Sequence, residues 1–226
     1  MELQILDPFG DYETAGYLRN SYQEKDLLVV GHLETAAFEQ EIVPTVRFLR
    51  RLQTLRYEHI TETHYRLFSS LYPWAGQDRS VTAPNSKIVK AGYRDLFALP
   101  AAIRLAAEHA LNLGQDTAYL RAHPGEVFGY LAHAHPFLEG NGRTILTVFA
   151  ELSRRADFHV EWEAIDKDQF LETLTRELLE PGRILDELVL PYARQGVLSV
   201  DKTVSRLRVN FKRDEVDPAP GSGEQK

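Results

Sequence analysis

Residues 135–143 have the sequence His-Pro-Phe-Leu-Glu-Gly-Asn-Gly-Arg and lie between two stretches with helical spacing of apolar residues. The apolar positions on the two sides are Val127, Tyr130, Leu131 and Ala134, then Ile145, Val148, Phe149, Leu152 and Ala156. Pro136 disfavours continuation of the first helix through His135. The stretch therefore predicts a helix that ends near residue 134, a tight loop, and a second helix from about Arg143. We call residues 135–143 the motif loop.

The motif loop combines the groups that attack of a hydroxyl on a phosphate requires. Gly140 and Gly142 let the backbone approach a ligand closely, and backbone N–H groups at a helix start bind anions. Arg143 adds a planar fork of donors that suits phosphate oxygens. Glu139 is an oxygen ligand of the kind that a phosphate-bound Mg²⁺ takes. His135 is the candidate general base, because an ordinary histidine titrates near neutral pH.

The remaining sequence predicts an almost entirely helical chain. Further amphipathic stretches cover about 33–55, 100–112, 167–180, 183–194 and 199–211. The exception is 77–98, where turn-forming residues alternate with short β-branched runs and favour a small hairpin. Residues 1–32 are predicted to be irregular. The segment from 212 is polar and rich in proline and glycine, which predicts a disordered tail.

Composition excludes several functional classes. The 226 residues are 43% hydrophobic and 26% charged, which is typical of a globular protein. There is no cysteine, so thiol nucleophiles, disulfides and cysteine-zinc sites are excluded. The formal net charge of −7 argues against direct nucleic-acid binding. No apolar run approaches membrane-spanning length, and no secretory leader is recognisable, so the sequence predicts a cytoplasmic protein without membrane contact.

The motif loop matches the signature His-Pro-Phe-x-Asp/Glu-Gly-Asn-Gly-Arg of the Fic (Fido) family at every specified position. Residues 71–76, Leu-Tyr-Pro-Trp-Ala-Gly, followed by Asp78 and Arg79, resemble the family's helix end before its β-hairpin flap. The resemblance covers about 55–193 and implies an all-α Fic/Fido helical bundle with a small β-hairpin flap. The implied target-docking segment of the flap contains Ile88, Lys90, Ala91 and Gly92.

This organisation divides the chain into four parts. We expect an N-terminal helical lead-in at 1–54, the Fido domain at 55–193, a C-terminal helix at 194–211 and the disordered tail at 212–226.

The resemblance implies a protein adenylyltransferase, which transfers AMP from ATP to a target hydroxyl. His135 would deprotonate a Tyr, Thr or Ser side chain, and Glu139 would hold Mg²⁺. Asn141 would orient the α-phosphate, and Phe137 would anchor the loop in the core. The implied nucleotide-binding residues are Gly140, Asn141, Gly142 and Arg143.

Two positions bear on which reaction is catalysed. The Doc-type branch of the family has lysine where this chain has Gly142 and uses ATP as a phosphate donor, so Gly142 favours nucleotidyl transfer. Many relatives also carry a second arginine three residues after Arg143, where this chain has Leu146. Donors such as UTP, GTP or CDP-choline therefore stay open beside ATP, as does a nucleotide-binding pseudoenzyme.

Regulation and partners are implied by resemblance only. Family autoinhibition uses a helix with the pattern Ser/Thr-x-x-x-Glu-Gly/Asn, and residues 35–40 match except at Gln40, which makes Glu39 a candidate inhibitory residue. An ordinary amphipathic helix is the alternative, and a separate small antitoxin is another source of the glutamate. Relatives modify the ATPase subunits of gyrase and topoisomerase IV. The resemblance thus implies a bacterial toxin, or an effector that is delivered into a host cell.

Overall fold

The computed structural model describes residues 8–10, 12, 16–88, 93 and 95–212, with the backbone alone for 209–212. Within these residues the chain forms ten α-helices. They are α1 (Leu27–Arg51), α2 (Tyr57–Phe68), α3 (Arg79–Thr82), α4 (Ile103–Gln115), α5 (Thr117–Ala122), α6 (Pro124–Ala134), α7 (Asn141–Arg155), α8 (Lys167–Leu179), α9 (Ile184–Val189) and α10 (Val200–Lys212). Short 3₁₀ turns occupy Pro100–Ala102, Trp162–Ala164 and Leu190–Tyr192.

Helix α7 is the centre of the bundle. It packs against α1, α2, α4, α6 and α10. Val148, Phe149 and Leu152 recur at helical spacing, and each is at most 1% exposed. Burial of one such side chain contributes about 1.5–3 kcal/mol. The helix that follows the motif loop is therefore anchored by the core on several sides, and it gives the loop a rigid base.

The two helices that flank the motif loop have the predicted arrangement. Helix α6 begins with Pro124, whose missing N–H costs nothing in a first turn, and ends at Ala134. Helix α7 begins at Asn141, two residues before the predicted start. The all-α class with a small two-stranded antiparallel sheet is confirmed.

The sheet lies outside the predicted flap segment. Strand β1 (Phe158–Val160) pairs with β2 (Ala193–Gln195), with Phe158 opposite Gln195. In the flap segment, Asp78 caps the short helix α3 by accepting a hydrogen bond from the Ser80 backbone N–H. Residues 89–92 and 94 lie outside the described residues. The hairpin therefore stays a prediction, and 79–82 are helical instead of extended.

The structure corrects two helix boundaries. Helix α1 begins at Leu27 within the stretch predicted to be irregular, because the Asp26 carboxylate accepts hydrogen bonds from the first free backbone N–H groups. The helix predicted for 194–211 begins at Val200, because residues 193–195 pair with β1. Helix α1 packs against α2 and α7, so the predicted lead-in shares the core of the domain. No helix in the described part combines the length and apolarity needed to span a bilayer. The predicted tail from residue 213 lies outside the described residues.

Candidate active site at the motif loop

His135 ends helix α6 in a left-handed backbone conformation, with φ 37° and ψ 62°. Such values are uncommon for a residue with a side chain and persist where neighbours impose them. The imidazole stacks on Phe97, with ring centroids 3.7 Å apart and planes 19° apart. The ring lines a cavity of about 660 Å³. The chain reversal thus turns the candidate base out of the helix and into the cavity.

Arg79 holds the backbone on both sides of this reversal. Its side chain is buried; Nε donates to the His135 carbonyl at 2.8 Å, and Nη2 donates to the Ala98 carbonyl at 2.8 Å. Its backbone N–H donates to the Pro136 carbonyl at 2.7 Å. A buried guanidinium that satisfies main-chain carbonyls makes strong charge-assisted bonds. Arg79, which the sequence analysis assigned only to a helix end, therefore fixes the backbone of His135.

His64, on α2, holds the other end of the loop. Its ring is fully buried and stacks on Phe137 with centroids 3.8 Å apart. The Gly76 backbone N–H donates to Nδ1 at 2.9 Å, so Nε2 carries the hydrogen and donates to the Glu139 carbonyl at 3.0 Å. Burial lowers the pKa of His64 to about 3. Phe137 is fully buried, as predicted.

The neutral state of His64 makes stability depend on pH. Its folded pKa of about 3 lies below the ordinary value of 6.5, so the unfolded chain binds the proton first as pH falls. The contribution of neutral His64 to the free energy of unfolding is complete above pH 6.5 and falls by about 1.4 kcal/mol per pH unit below it. We expect urea unfolding between pH 7.5 and 4.5 to show a steeper loss for the wild type than for His64→Gln, whose amide keeps one donor and one acceptor. If the free energy of unfolding fell equally with pH in the two proteins, His64 would not be the buried neutral group that we infer.

Asn141 closes the loop with its side chain. Its Oδ1 accepts from the Phe137 backbone N–H at 2.9 Å, and its Nδ2 donates to the Phe137 carbonyl at 2.7 Å. The residue is buried, and both polar atoms of its side chain are hydrogen-bonded to the backbone of Phe137. These contacts hold the shape of the motif loop, and the predicted role of Asn141 in orienting the α-phosphate stays a prediction.

The two glycines differ in their surroundings. Gly140 has φ 78°, and a Cβ there would lie 2.7 Å from the Phe68 ring and 3.1 Å from His64 Nε2. At Gly142 a Cβ would meet nothing within 4 Å, and this residue lines the 660 Å³ cavity with His135 and Leu146. Gly140 is therefore required by the fold, and Gly142 opens onto the cavity.

This difference predicts opposite outcomes for two alanine variants. Gly140→Ala should destabilise the protein by about 2–4 kcal/mol, since it adds left-handed strain and a clash. Gly142→Ala should fold at least as stably as the wild type, because alanine is the better helix former, yet it should weaken nucleotide binding by filling the cavity edge. Urea unfolding and calorimetric titration with ATP measure the two effects. Equal free energies of unfolding for the two variants would contradict the difference in surroundings between Gly140 and Gly142.

The comparisons with known proteins agree with this geometry. Residues 54–152 match the model of the Fic/DOC family. The chain contains a Fic domain. It is 28% identical over 184 residues to protein adenylyltransferase VbhT of Bartonella schoenbuchensis, covering 77% of this chain and 35% of that protein. It is 29% identical over 131 residues to the probable protein adenylyltransferase y4lH of Sinorhizobium fredii, covering 54% of this chain and 65% of that protein. The chain thus spans about a third to two thirds of these relatives.

Solved Fic structures show the same fold. The BepC protein of Bartonella tribocorum, a VirB-translocated effector solved with bound AMPPNP, has a TM-score of 0.66 and 22% identity. The match covers 81% of this chain and 95% of that chain. The N-terminal Fic domain of an effector from Bartonella quintana, solved with bound ADP, has a TM-score of 0.66 and 20% identity over 82% of this chain and 94% of its own.

The Fic-domain arginine, Arg143, contacts a carboxylate that the sequence analysis did not identify. Glu34 on α1 is 8% exposed, and its Oε2 lies 3.3 Å from Arg143 Nη2. The Tyr72 hydroxyl donates to Glu34 Oε1. Burial and the charge of Glu139 raise the pKa of Glu34 to about 7, against the opposite effect of Arg143 and Tyr72. The available signal was its position between Val30 and Phe38 on the apolar face of a helix, where a charged residue is rare.

Glu39, the predicted inhibitory residue, lies on the same helix as Glu34. Five residues separate the two, so they project about 140° apart around the helix axis. The Glu39 carbonyl accepts from Arg208 Nη2 at 2.9 Å, on the side that faces α10. Its inhibitory role stays a prediction, and the contact with Arg143 belongs to Glu34.

A second cavity, of about 450 Å³, adjoins the other side of the loop. Glu34, Tyr72 and Glu139 line it together with the flap residue Ile88. Glu139 is exposed, and its Oε1 accepts from the Gly140 backbone N–H at 2.9 Å. The remaining predicted flap residues, Lys90, Ala91 and Gly92, lie outside the described residues.

A cluster of possible metal ligands lies away from the motif loop. His123, Glu126 and Asp186 have ligand atoms within 4.8 Å of one another. The Asp186 carboxylate accepts from the backbone N–H groups of Gly125 and Glu126 and contacts His123. The Glu126 carboxylate accepts from Tyr119. These bonds cap the start of α6, and we assign the cluster to folding.

Proposed function

We propose that this Fic domain transfers AMP from ATP to a Tyr, Thr or Ser hydroxyl of a target protein. His135 takes the hydroxyl proton as the oxygen forms a bond with the α-phosphorus. The bond between the α-phosphorus and the α–β bridging oxygen breaks, and pyrophosphate leaves with the electron pair. The proton remains on the imidazole until it passes to solvent.

One observation carries the proposal: His135 and the open start of α7 border the same cavity. His135, Asn141 and Gly142 all line it, and Gly140 caps the helix without a side-chain hydrogen bond to the helix. Backbone N–H groups at a helix start stabilise phosphate charge. A base and an anion site at one cavity support in-line attack on a bound phosphate. The names of VbhT and y4lH, and the nucleotides in the BepC and B. quintana structures, support the same assignment.

The other residues of the motif loop bind the metal ion and the phosphates in the proposed reaction. Glu139 fits a Mg²⁺ site because it is an exposed carboxylate directly before Gly140, the residue that caps the start of α7, and Mg²⁺ binds through one or two carboxylates plus substrate phosphates. Bound there, Mg²⁺ would neutralise phosphate charge. Arg143 grips the outer phosphates. Asn141 serves through its backbone N–H and through the loop shape that its side chain maintains.

A second candidate function is transfer from another nucleotide donor, and Leu146 is the residue that supports it. Leu146 lines the cavity among mostly apolar neighbours that include Phe128 and Trp162. An apolar side chain gives a γ-phosphate no partner. Competition of unlabelled UTP, GTP and CDP-choline against labelled ATP would rank the donors. A donor that outcompetes ATP would replace it in the proposal.

The test is label transfer to protein with ATP labelled on either the α- or the γ-phosphate. The protein is incubated with Mg²⁺ and a bacterial lysate. We expect α-labelled ATP to give labelled bands with the wild type that are absent with His135→Ala, and γ-labelled ATP to give the same bands with both proteins. A γ-labelled band that appears only with the wild type would indicate phosphoryl transfer instead. Absence of wild-type-specific label from every donor, with nucleotide binding intact, would indicate a pseudoenzyme.

The partners belong to the same proposal. Target proteins are the ATPase subunits of gyrase or topoisomerase IV, by family resemblance, and a small antitoxin restrains the enzyme. The place of action is the bacterial cytoplasm, with a host cell as the alternative because the BepC relative is named a translocated effector. The size of the labelled band in the lysate tests the targets first.

A further inference from the structure

Glu34 is a buried carboxylate that the proposed mechanism does not use. It lies on the inner face of α1, one helical turn from Phe38, which is fully buried. Burial of a carboxylate costs free energy unless partners compensate. An apolar side chain would serve the packing of α1 without that cost. The partners of Glu34 therefore indicate its role.

Both carboxylate oxygens have a fixed contact. The Tyr72 hydroxyl donates to Oε1, and Arg143 Nη2 lies 3.3 Å from Oε2. Tyr72 is itself 2% exposed and stacks on Trp74 with centroids 4.4 Å apart. The hydroxyl is thus held by the core, and it holds Glu34 in turn.

Arg143 needs such a partner because of its position. It occupies the first turn of α7, where the helix dipole disfavours a positive charge. Its side chain is 14% exposed and lies over the Phe68 ring at 5.7 Å from the centroid. A free arginine side chain also loses considerable rotamer entropy when it is fixed. The Glu34 carboxylate offsets the dipole and selects one orientation of the guanidinium.

We propose that Glu34 is a positioning residue, which orients Arg143 for the outer phosphates of a nucleoside di- or triphosphate. This inference rests on the proposed function. Its chemical consequence is selectivity for nucleotides that extend beyond the α-phosphate. AMP, which lacks those phosphates, gains nothing from the Glu34–Arg143 pair.

The opposite role would be a brake, in which Glu34 occupies Arg143 and competes with phosphate. A brake must move aside when nucleotide binds. Glu34 is tied to Tyr72 and lies on the core face of a helix that packs against α2 and α7. Its withdrawal would disturb that packing, so the geometry favours a fixed support.

The experiment compares nucleotide binding in wild type, Glu34→Gln and Tyr72→Phe by calorimetry at pH 8.5, above the raised pKa of Glu34, with AMPPNP, ADP and AMP, each with Mg²⁺. We expect Glu34→Gln to weaken AMPPNP and ADP binding about 5- to 30-fold, the effect of one charge-assisted contact. AMP binding should stay unchanged. Tyr72→Phe should weaken the same two ligands less. Glu62→Gln, which removes an exposed carboxylate that pairs with Arg66 on α2, is the control and should bind like the wild type.

A double-mutant cycle with Arg143→Met tests whether Glu34 acts through the arginine. In the Arg143→Met background, Glu34→Gln should cause no further loss of AMPPNP affinity. Tighter AMPPNP binding by Glu34→Gln would establish a brake and overturn the inference. An equal loss for AMP would show a general structural defect and also overturn it. Failure of the wild type to bind any nucleotide would overturn the proposed function as well, whereas normal AMPPNP binding by Glu34→Gln defeats this inference alone.

Discussion

Replacing His135 with alanine will reduce AMP transfer by about 10²- to 10⁴-fold, the usual contribution of a general base. ATP affinity should change by less than about threefold, because the helix start and Arg143, which bind phosphate in the proposal, are untouched. Transfer of the α-label and calorimetric binding of ATP are measured on the same preparations. A large loss of transfer rate with nearly unchanged ATP affinity identifies His135 as a base and distinguishes it from a binding residue.

The matched control is His133→Ala, two residues earlier on α6. His133 Nδ1 contacts the Leu96 carbonyl at 2.9 Å, so the variant loses one hydrogen bond near the site but no catalytic group. It should retain transfer within several-fold. Residual transfer by His135→Ala together with lost ATP binding would assign His135 to binding and leave the base unidentified.

Replacing Arg79 with methionine should impair both folding and transfer, although Arg79 belongs to neither the nucleotide site nor the base. The variant leaves the buried carbonyls of His135 and Ala98 without their donor. Each unpaired buried group costs about 1–3 kcal/mol, so we expect a loss of roughly 2–4 kcal/mol and a melting midpoint lower by about 5–15 °C. Transfer should fall at temperatures well below both midpoints, because His135 loses its fixed backbone.

Arg104→Met is the control for this second experiment. Arg104 is exposed on α4 and pairs with Glu58 and Glu108 at the surface. Surface ion pairs of this kind contribute little, so the control should melt and turn over like the wild type. Arg79→Lys should recover only part of the loss, since one ammonium group cannot replace a fork that reaches two carbonyls. A wild-type rate in Arg79→Met would disprove the positioning of His135 by Arg79.

The motif loop could be predicted because its chemistry is local. Pro136 and the glycines fix where the helices stop and start, and His135, Glu139 and Arg143 occupy adjacent positions in the chain. Helical spacing and Pro136 likewise predicted the end of α6 and the start of α7 to within two residues. These features depend on neighbours that a single stretch of sequence contains.

The supports of the loop could not be predicted, since each is brought in by packing from a distant part of the chain. His64 reaches Glu139 and Arg79 reaches His135 across 75 and 56 residues, respectively. Glu34 reaches Arg143 across 109 residues. The family pattern Ser/Thr-x-x-x-Glu-Gly/Asn suggested Glu39 as the inhibitory residue, and no local pattern indicated that Glu34 contacts the arginine. The β1–β2 pairing was missed because three-residue strands carry too few residues to show alternation.

The contacts of Arg79 and His64 have a consequence for protein engineering. Both side chains bind main-chain carbonyls of the loop, at His135 and at Glu139, and both stand outside the nine-residue signature. A graft of the signature onto another pair of helices would carry every reactive group and lose the backbone geometry that aims them. A unit that keeps these two contacts must therefore include α2 and the start of α3 with the loop, and α1 has to be added to keep Glu34 beside Arg143.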